Sequence, residues 1–201
     1  AGASTVLAEG GTMELIASVL PAVVGALTSA LVFVALRRHL GRVLALVAAL
    51  LVSCSPAQLT YTAAGRFDHH MLEALLVVWL LASVAAAVGA RSAAGRFVAV
   101  ASGALSMGIA LAVWPGVLLH LAFIASALWL APLLASFVKA SCAQEILERS
   151  PLVLGAMFAL ATLLAMPSVL ASPWRGELVF FAPSPFHLCA LAAVALSFLL
   201  A

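Results

Sequence analysis

The chain has 201 residues, of which 66% are hydrophobic and only 8% are charged, and its formal net charge is +2. This composition excludes a soluble globular domain, because it offers too little polar surface to cover one. The small net charge gives no reason to expect nucleic acid as a partner. The sequence is therefore that of a multi-pass integral membrane protein, with the lipid bilayer as its surroundings.

Apolar stretches of about 17 to 25 residues recur along the chain, and each is long enough to cross a hydrocarbon core of about 30 Å as a helix. They lack the alternation of apolar and polar residues that marks the wall of a membrane β-barrel. We predict an external loop tail at residues 1–12 and a single transmembrane domain at 13–201, an all-α polytopic bundle of about seven spans without a soluble domain. The predicted spans are 14–36, 43–59, 71–88, 97–114, 117–138, 152–170 and 186 to the end of the chain.

Basic residues are shared unequally between alternate breaks of this pattern. One side of the membrane receives only Arg66 and Arg175. The excess of Lys and Arg marks the cytoplasmic side, so we expect the break around Asp68 to be external. The basic residues of the other side are Arg37, Arg38, Arg42, Arg91, Arg96, Lys139 and Arg149.

The break before the third span carries Arg66, Asp68, His69, His70 and Glu73 between two long apolar runs. Ionisable groups are costly there unless they have partners or water. Asp68 can cap the helix that follows, and Asp68 with His70 can also bind a divalent metal. The two interpretations are compatible, because a capping residue has non-helical dihedral angles and its side chain can converge with that of His70. An outward-facing helix N-terminus also suits phosphate, to which Arg66 could add a contact.

Glu73 follows the two histidines by about one helical turn. It could orient either imidazole as a hydrogen-bond acceptor behind the metal. A hydrogen bond to another helix, or a carboxylate reaching the membrane interface, explains it equally well. The residues alone leave this choice open.

The run Ala64-Gly65-Arg66-Phe67-Asp68-His69-His70, with Glu73 three positions later, resembles the second acidic motif of the oligosaccharyltransferase catalytic-subunit family. Archaeal members and their bacterial relatives have Gly-x-x-Asp-His-His in this loop. Residues 20–28, the basic pair at 37–38 and the Ser-Pro pair at 55–56 also resemble the family's second and third spans. The resemblance extends over about residues 13–90.

This resemblance implies a membrane domain of the C-type glycosyltransferase kind and a metal-dependent transferase. Such an enzyme takes a sugar or oligosaccharide from a polyprenyl phosphate or pyrophosphate donor and passes it to a peptide or lipid acceptor, protein asparagine among them. By motif position, Asp68 and His70 would bind Mn²⁺ or Mg²⁺. Asp68 and Glu73 are the candidate catalytic carboxylates, since in this family acidic groups near the metal help activate the acceptor amide. Arg66 and Arg175 are the candidates for contacting the donor phosphate.

The resemblance also implies a location in the cell membrane, the inner membrane, of a bacterium or archaeon, with the Asp68 loop external. The family's first acidic motif and its acceptor-recognising soluble domain would lie outside residues 1–201. We therefore expect this chain to be a fragment that is inactive alone.

The alternative is an ion or metal transporter in which Asp68, His69, His70 and Glu73 line a path across the membrane. A carrier is expected to place ionisable residues near the middle of the membrane on several spans. Here they gather at one boundary, which favours the enzyme. A non-catalytic scaffold with a capped helix is a third possibility.

Overall fold

The computed structural model describes residues 2–66, 68–137 and 141–200, without the side chains of residues 2–10 and 131–149. Every regular element in these ranges is a helix, which confirms the all-α class. The helices are α1 (Gly2–Ser53), α2 (Pro56–Tyr61), α3 (His70–Val88), α4 (Ala93–Val113), α5 (Val117–Phe137), α6 (Ser141–Ala171) and α7 (Pro185–Leu199).

By length and composition, four helical stretches among the described residues are long and apolar enough to cross a membrane. They are Gly11–Ser53, His70–Val88, Ala93–Val113 and Ser150–Ala171, and the shorter apolar helices are Val117–Leu130 and Pro185–Leu199. The multi-span helical character is thus confirmed, but the predicted count of seven spans is not. One reason is that Gly11–Ser53 combines two predicted spans in one stretch.

Two segments outside the predicted spans are helical. The first helix, α1, already begins at Gly2, within the tail predicted for residues 1–12. Helix α6 begins at Ser141 and includes Pro151, so most of the polar break predicted before the sixth span is helical as well. The segment at the start of α6 contains Ala, Gln, Glu, Leu and Arg, which are good helix formers, and polarity by itself does not end a helix. Lys139 and the side chain of Arg149 lie outside the described residues.

The predicted break near residue 41 is a reversal of the chain inside α1. Gly41 has φ 77° and ψ 168°, a conformation that is essentially restricted to glycine. The Ser53 hydroxyl donates to the Ser29 hydroxyl at 2.6 Å, although 24 residues of uninterrupted helix would separate them by about 36 Å. The two arms of α1 on either side of Gly41 therefore lie antiparallel.

The contacts divide the chain into two compact units, Ala1–Val78 and Trp79–Ala201, with the division inside α3. In the second unit, α6 packs against α4 and α7. Glycines permit this close approach: a Cβ on Gly103 would lie 2.5 Å from Met157 Sδ, and one on Gly155 would lie 2.6 Å from Leu199 Cγ. Met157 is fully buried.

In the first unit, the segment that follows α1 contacts the first arm of α1, the part before Gly41, at two points. A Cβ on Gly25 would lie 2.8 Å from Thr62 Cβ, so the two segments touch directly there. The Gly65 amide donates to the Ser18 carbonyl at 2.9 Å. Helix α2 begins at Pro56 and is capped by Ser55, whose hydroxyl accepts from a backbone amide. The loop that leads to Asp68 therefore starts from a fixed position.

Candidate metal centre

Asp68, His69 and His70 form the one group of three or more potential metal ligands found among the described residues. Their ligand atoms all lie within 4.8 Å of one another. The turn that brings them together follows Gly65, which has φ +81°, a left-handed conformation that favours glycine. Asp68 and His70 are partly buried, while His69 is exposed. The side chains of Asp68 and His70 thus converge, as the metal-site hypothesis requires.

The Asp68 carboxylate is held by its neighbour in sequence. His69 Nδ1 lies 2.8 Å from Asp68 Oδ1. The same oxygen is 3.5 Å from the backbone nitrogen of His70, longer than the usual range for an N–H donor. The helix-capping interpretation of Asp68 is therefore only weakly supported, whereas the contact with His69 is well formed. This contact holds one of the two carboxylate oxygens in place.

Glu73 contacts the imidazole of His70, one of the two histidines that its position in the sequence allowed. His70 Nδ1 lies 2.9 Å from Glu73 Oε2, and the Glu73 side chain is only 16% exposed. Both residues lie in the first turn of α3, three positions apart, where side chains on a helix meet. With its Nδ1 committed to the carboxylate, His70 would bind a metal through Nε2. This is the usual arrangement in which a carboxylate orients a metal-binding histidine.

Tyr61 belongs to the same cluster and was not singled out from the sequence. Its ring centroid lies 4.7 Å from that of His70, and the Arg66 guanidinium carbon lies 5.5 Å from the centre of the same ring. The available signal was that Tyr61 is the only tyrosine of the chain and ends the short helix before the loop. The contact between Tyr61 and His70 spans nine residues and depends on the geometry of the loop between them, which the spacing of apolar residues in the sequence does not predict.

Arg175, the other predicted phosphate contact, lies in the second unit, in the loop between α6 and α7. It is exposed, and its backbone amide donates to the Ser172 carbonyl at 3.3 Å. Glu177, in the same loop, is also exposed, and within the described ranges the two form no ion pair. The role of Arg175 stays a prediction.

The donor set decides which ions suit the first unit. It combines the Asp68 carboxylate with the His70 imidazole, and the His69 imidazole lies beside them. Imidazole favours first-row transition metals, whereas Mg²⁺ prefers oxygen ligands and water. The residues therefore fit a divalent metal, and they fit Mn²⁺ or Zn²⁺ better than Mg²⁺.

The chain resembles solved structures over nearly its whole length. The crystal structure of the Archaeoglobus fulgidus oligosaccharyltransferase in complex with Zn and sulfate matches with a TM-score of 0.78 and 24% identity, over 93% of this chain and 23% of that one. The same organism's enzyme tethered with an acceptor peptide containing the NVT sequon matches with a TM-score of 0.77 and 23% identity, over 93% of this chain and 22% of that one.

A third structure is the archaeal oligosaccharyltransferase AglB from Archaeoglobus fulgidus in complex with an inhibitory peptide and a dolichol-phosphate, with a TM-score of 0.77 and 24% identity, over 93% of this chain and 22% of that one. At this identity the likeness shows the fold, and the chain spans less than a quarter of those proteins' length. No curated protein matches the sequence. The family model described as oligosaccharyl transferase STT3, N-terminal, matches residues 5–199. The chain therefore belongs to the oligosaccharyl transferase STT3 family.

Proposed function

We propose that this chain forms the metal-binding part of a membrane glycosyltransferase, which transfers a sugar or oligosaccharide from a polyprenyl phosphate or pyrophosphate donor to an acceptor on the external face of the membrane. The observation that carries the proposal is the convergence of the Asp68 and His70 side chains beside the start of an apolar helix, in a member of the STT3 family. A carboxylate and an imidazole within reach of each other can bind one divalent ion.

The similar structures support the choice of ligands. One of them holds Zn and sulfate, another holds a dolichol-phosphate, and a third carries an acceptor peptide with the NVT sequon. These support a divalent metal, a lipid-linked phosphate donor and a peptide acceptor for this chain. The predicted Mn²⁺ agrees with the donor set, and the predicted Mg²⁺ is the poorer fit.

In this proposal two residues bind the metal and two others orient them. Asp68 would hold the cation through its carboxylate, while His69 contacts Oδ1. His70 would hold it through Nε2, while Glu73 contacts Nδ1. When bound, the cation supplies Lewis-acid stabilisation of charge on the phosphate leaving group. Glu73, predicted to be catalytic, contacts His70, and we assign it the role of a positioning residue.

The donor phosphate needs positive charge from the protein besides the cation. Arg66 is exposed and lies two residues before Asp68, so its planar guanidinium can bind phosphate oxygens through two parallel hydrogen bonds. Arg175 is the second candidate. Each assignment rests on the external location that the distribution of basic residues predicts for the loop concerned.

The proposal is tested with the purified, membrane-reconstituted protein that carries this chain. Transfer from a polyprenyl-pyrophosphate-linked sugar to a peptide containing Asn-Val-Thr is measured before chelation, after chelation, and after addition of Mn²⁺ or Mg²⁺. We expect chelation to abolish transfer, Mn²⁺ to restore it, and Mg²⁺ to restore it less well. Full transfer after chelation would overturn the metal-dependent function.

A further inference from the structure

The Tyr61 ring contacts two groups to which the proposed function gives separate roles. It lies against the imidazole of His70 and under the guanidinium of Arg66. The two groups are therefore no farther apart than the sum of their distances to that ring. Tyr61 is half-buried and Arg66 is exposed. Nothing in the sequence motif requires an aromatic residue at this distance from the acidic run.

Within the part of the chain that the structure describes, Arg66 forms no ion pair with a carboxylate. Among the described residues, both acidic groups of the site pair with histidines, Asp68 with His69 and Glu73 with His70. Arg66 forms no such pair there and rests on the aromatic face instead. A cation held over a ring is attracted by the ring's quadrupole, and this contact leaves the N–H groups at the edge of the guanidinium able to bind an anion.

The position of the ring is determined by the fold of the first unit. Tyr61 is the last residue of α2, which Ser55 caps at its start. The next residue, Thr62, packs directly on Gly25 of α1. Gly65, on the other side of the turn, is hydrogen-bonded to Ser18 of α1. The ring is thus carried by a segment that contacts α1 immediately after it, and a group resting on the ring loses less conformational freedom when it binds a ligand.

We propose that Tyr61 is a positioning residue that holds Arg66 beside the metal-binding His70, so that the guanidinium and the metal centre bind oxygens of the same donor phosphate. This inference rests on the proposed function. It names the phosphate of the donor, and not its lipid or sugar, as the part that Tyr61 influences. The ring is what matters, and the phenolic hydroxyl is not required.

The test is a double-mutant cycle on Tyr61 and Arg66 in the purified protein in detergent with saturating Mn²⁺. The probes are farnesyl phosphate and farnesol, which differ only in the phosphate, and affinities are measured by calorimetric titration. We expect Tyr61→Leu to weaken farnesyl phosphate binding about twofold to fivefold, the range of an exposed cation–π contact. Tyr61→Phe should bind like the unchanged protein, and farnesol affinity should not change in either variant.

The double variant separates positioning from general disturbance. In the Arg66→Gln background, Tyr61→Leu should cause no further loss of farnesyl phosphate affinity, because the guanidinium that it positions is gone and saturating Mn²⁺ keeps the metal bound. An equal loss in both backgrounds, or no loss in the unchanged background, would overturn the inference. If Tyr61→Leu does not fold, Tyr61→Met, which also lacks a ring, takes its place with the same expected result.

A separate measurement distinguishes failure of this inference from failure of the proposed function. If Asp68→Ala leaves Mn²⁺ affinity unchanged, the metal centre itself is wrong. If Asp68→Ala loses Mn²⁺ while Tyr61→Leu keeps full farnesyl phosphate affinity, the metal centre stands and only the role of Tyr61 is wrong.

Discussion

Replacing Glu73 tests whether the carboxylate in the first turn of α3 prepares His70 for a metal. Removing a residue that orients a metal-binding histidine typically weakens metal affinity by about 10- to 100-fold. Two features of the structure decide how large the loss of metal affinity in Glu73→Ala should be within this range. The contact is short, at 2.9 Å, and mostly shielded from solvent, but Tyr61 also supports the His70 ring. We therefore expect a loss of about tenfold, or about 1.4 kcal/mol.

A second variant at Glu73 should cause a smaller loss of metal affinity. Glu73→Gln keeps an oxygen that can accept from Nδ1–H of His70 but removes the charge. Because hydrogen bonds to ionised groups are about twice as strong as neutral ones, we expect Glu73→Gln to lose about threefold in Mn²⁺ affinity. The order of affinities should be the unchanged protein, then Glu73→Gln, then Glu73→Ala.

The assay is titration of the purified protein with Mn²⁺, with free ion measured by its paramagnetic resonance signal. Glu177→Ala, which removes an exposed carboxylate from the loop after α6, is the matched control and should bind Mn²⁺ normally. Unchanged affinity in Glu73→Ala, or weaker binding in Glu73→Gln than in Glu73→Ala, would refute the argument that Glu73 acts by orienting His70.

Two glycines of α1 give predictions about stability, measured by denaturant unfolding in detergent. Gly41→Ala should lower the free energy of unfolding by about 1–3 kcal/mol, because an alanine would be forced into a glycine-only conformation; stability equal to that of the unchanged protein would contradict the reversal at this residue. Gly25→Ala should cost about 1–3 kcal/mol, since its Cβ would lie 2.8 Å from Thr62 Cβ. Gly11→Ala, whose Cβ would meet nothing within 4 Å, is the control for both, and a cost at position 11 as large as at position 25 would show that the contact with Thr62 is not the cause.

Several helices could be predicted from the sequence, because the residues close to their ends determine where they stop. The predicted third span, 71–88, agrees with His70–Val88, and the fourth, 97–114, overlaps Ala93–Val113. These helices end at glycine, proline or clusters of small and charged residues. Such residues interrupt a helix within a few positions, so the end of the helix can be recognised from the sequence around it. The start of α6 lies well before the predicted sixth span, because its polar residues are good helix formers and hydropathy cannot separate a polar helix from a polar loop.

The candidate site was predictable in its members but not in its pairing. The spacing of Glu73 allowed a contact with His69 or His70, and the structure selects His70. The pairing of His69 with Asp68 depends on how two adjacent side chains leave an irregular turn. Tyr61 reaches the site across a loop that contacts α1 at Gly25 and Ser18. Such tertiary contacts have no periodic signature in the sequence.

The most direct test of the account is Mn²⁺ binding by three single variants of the Asp68 loop, measured side by side in the purified protein. Asp68→Ala and His70→Ala should each lose Mn²⁺ binding, because each removes a ligand. His69→Ala should bind Mn²⁺ more weakly yet measurably, because it removes only the partner of Asp68. Unchanged Mn²⁺ affinity in Asp68→Ala or His70→Ala would contradict the claim that these two side chains hold the metal.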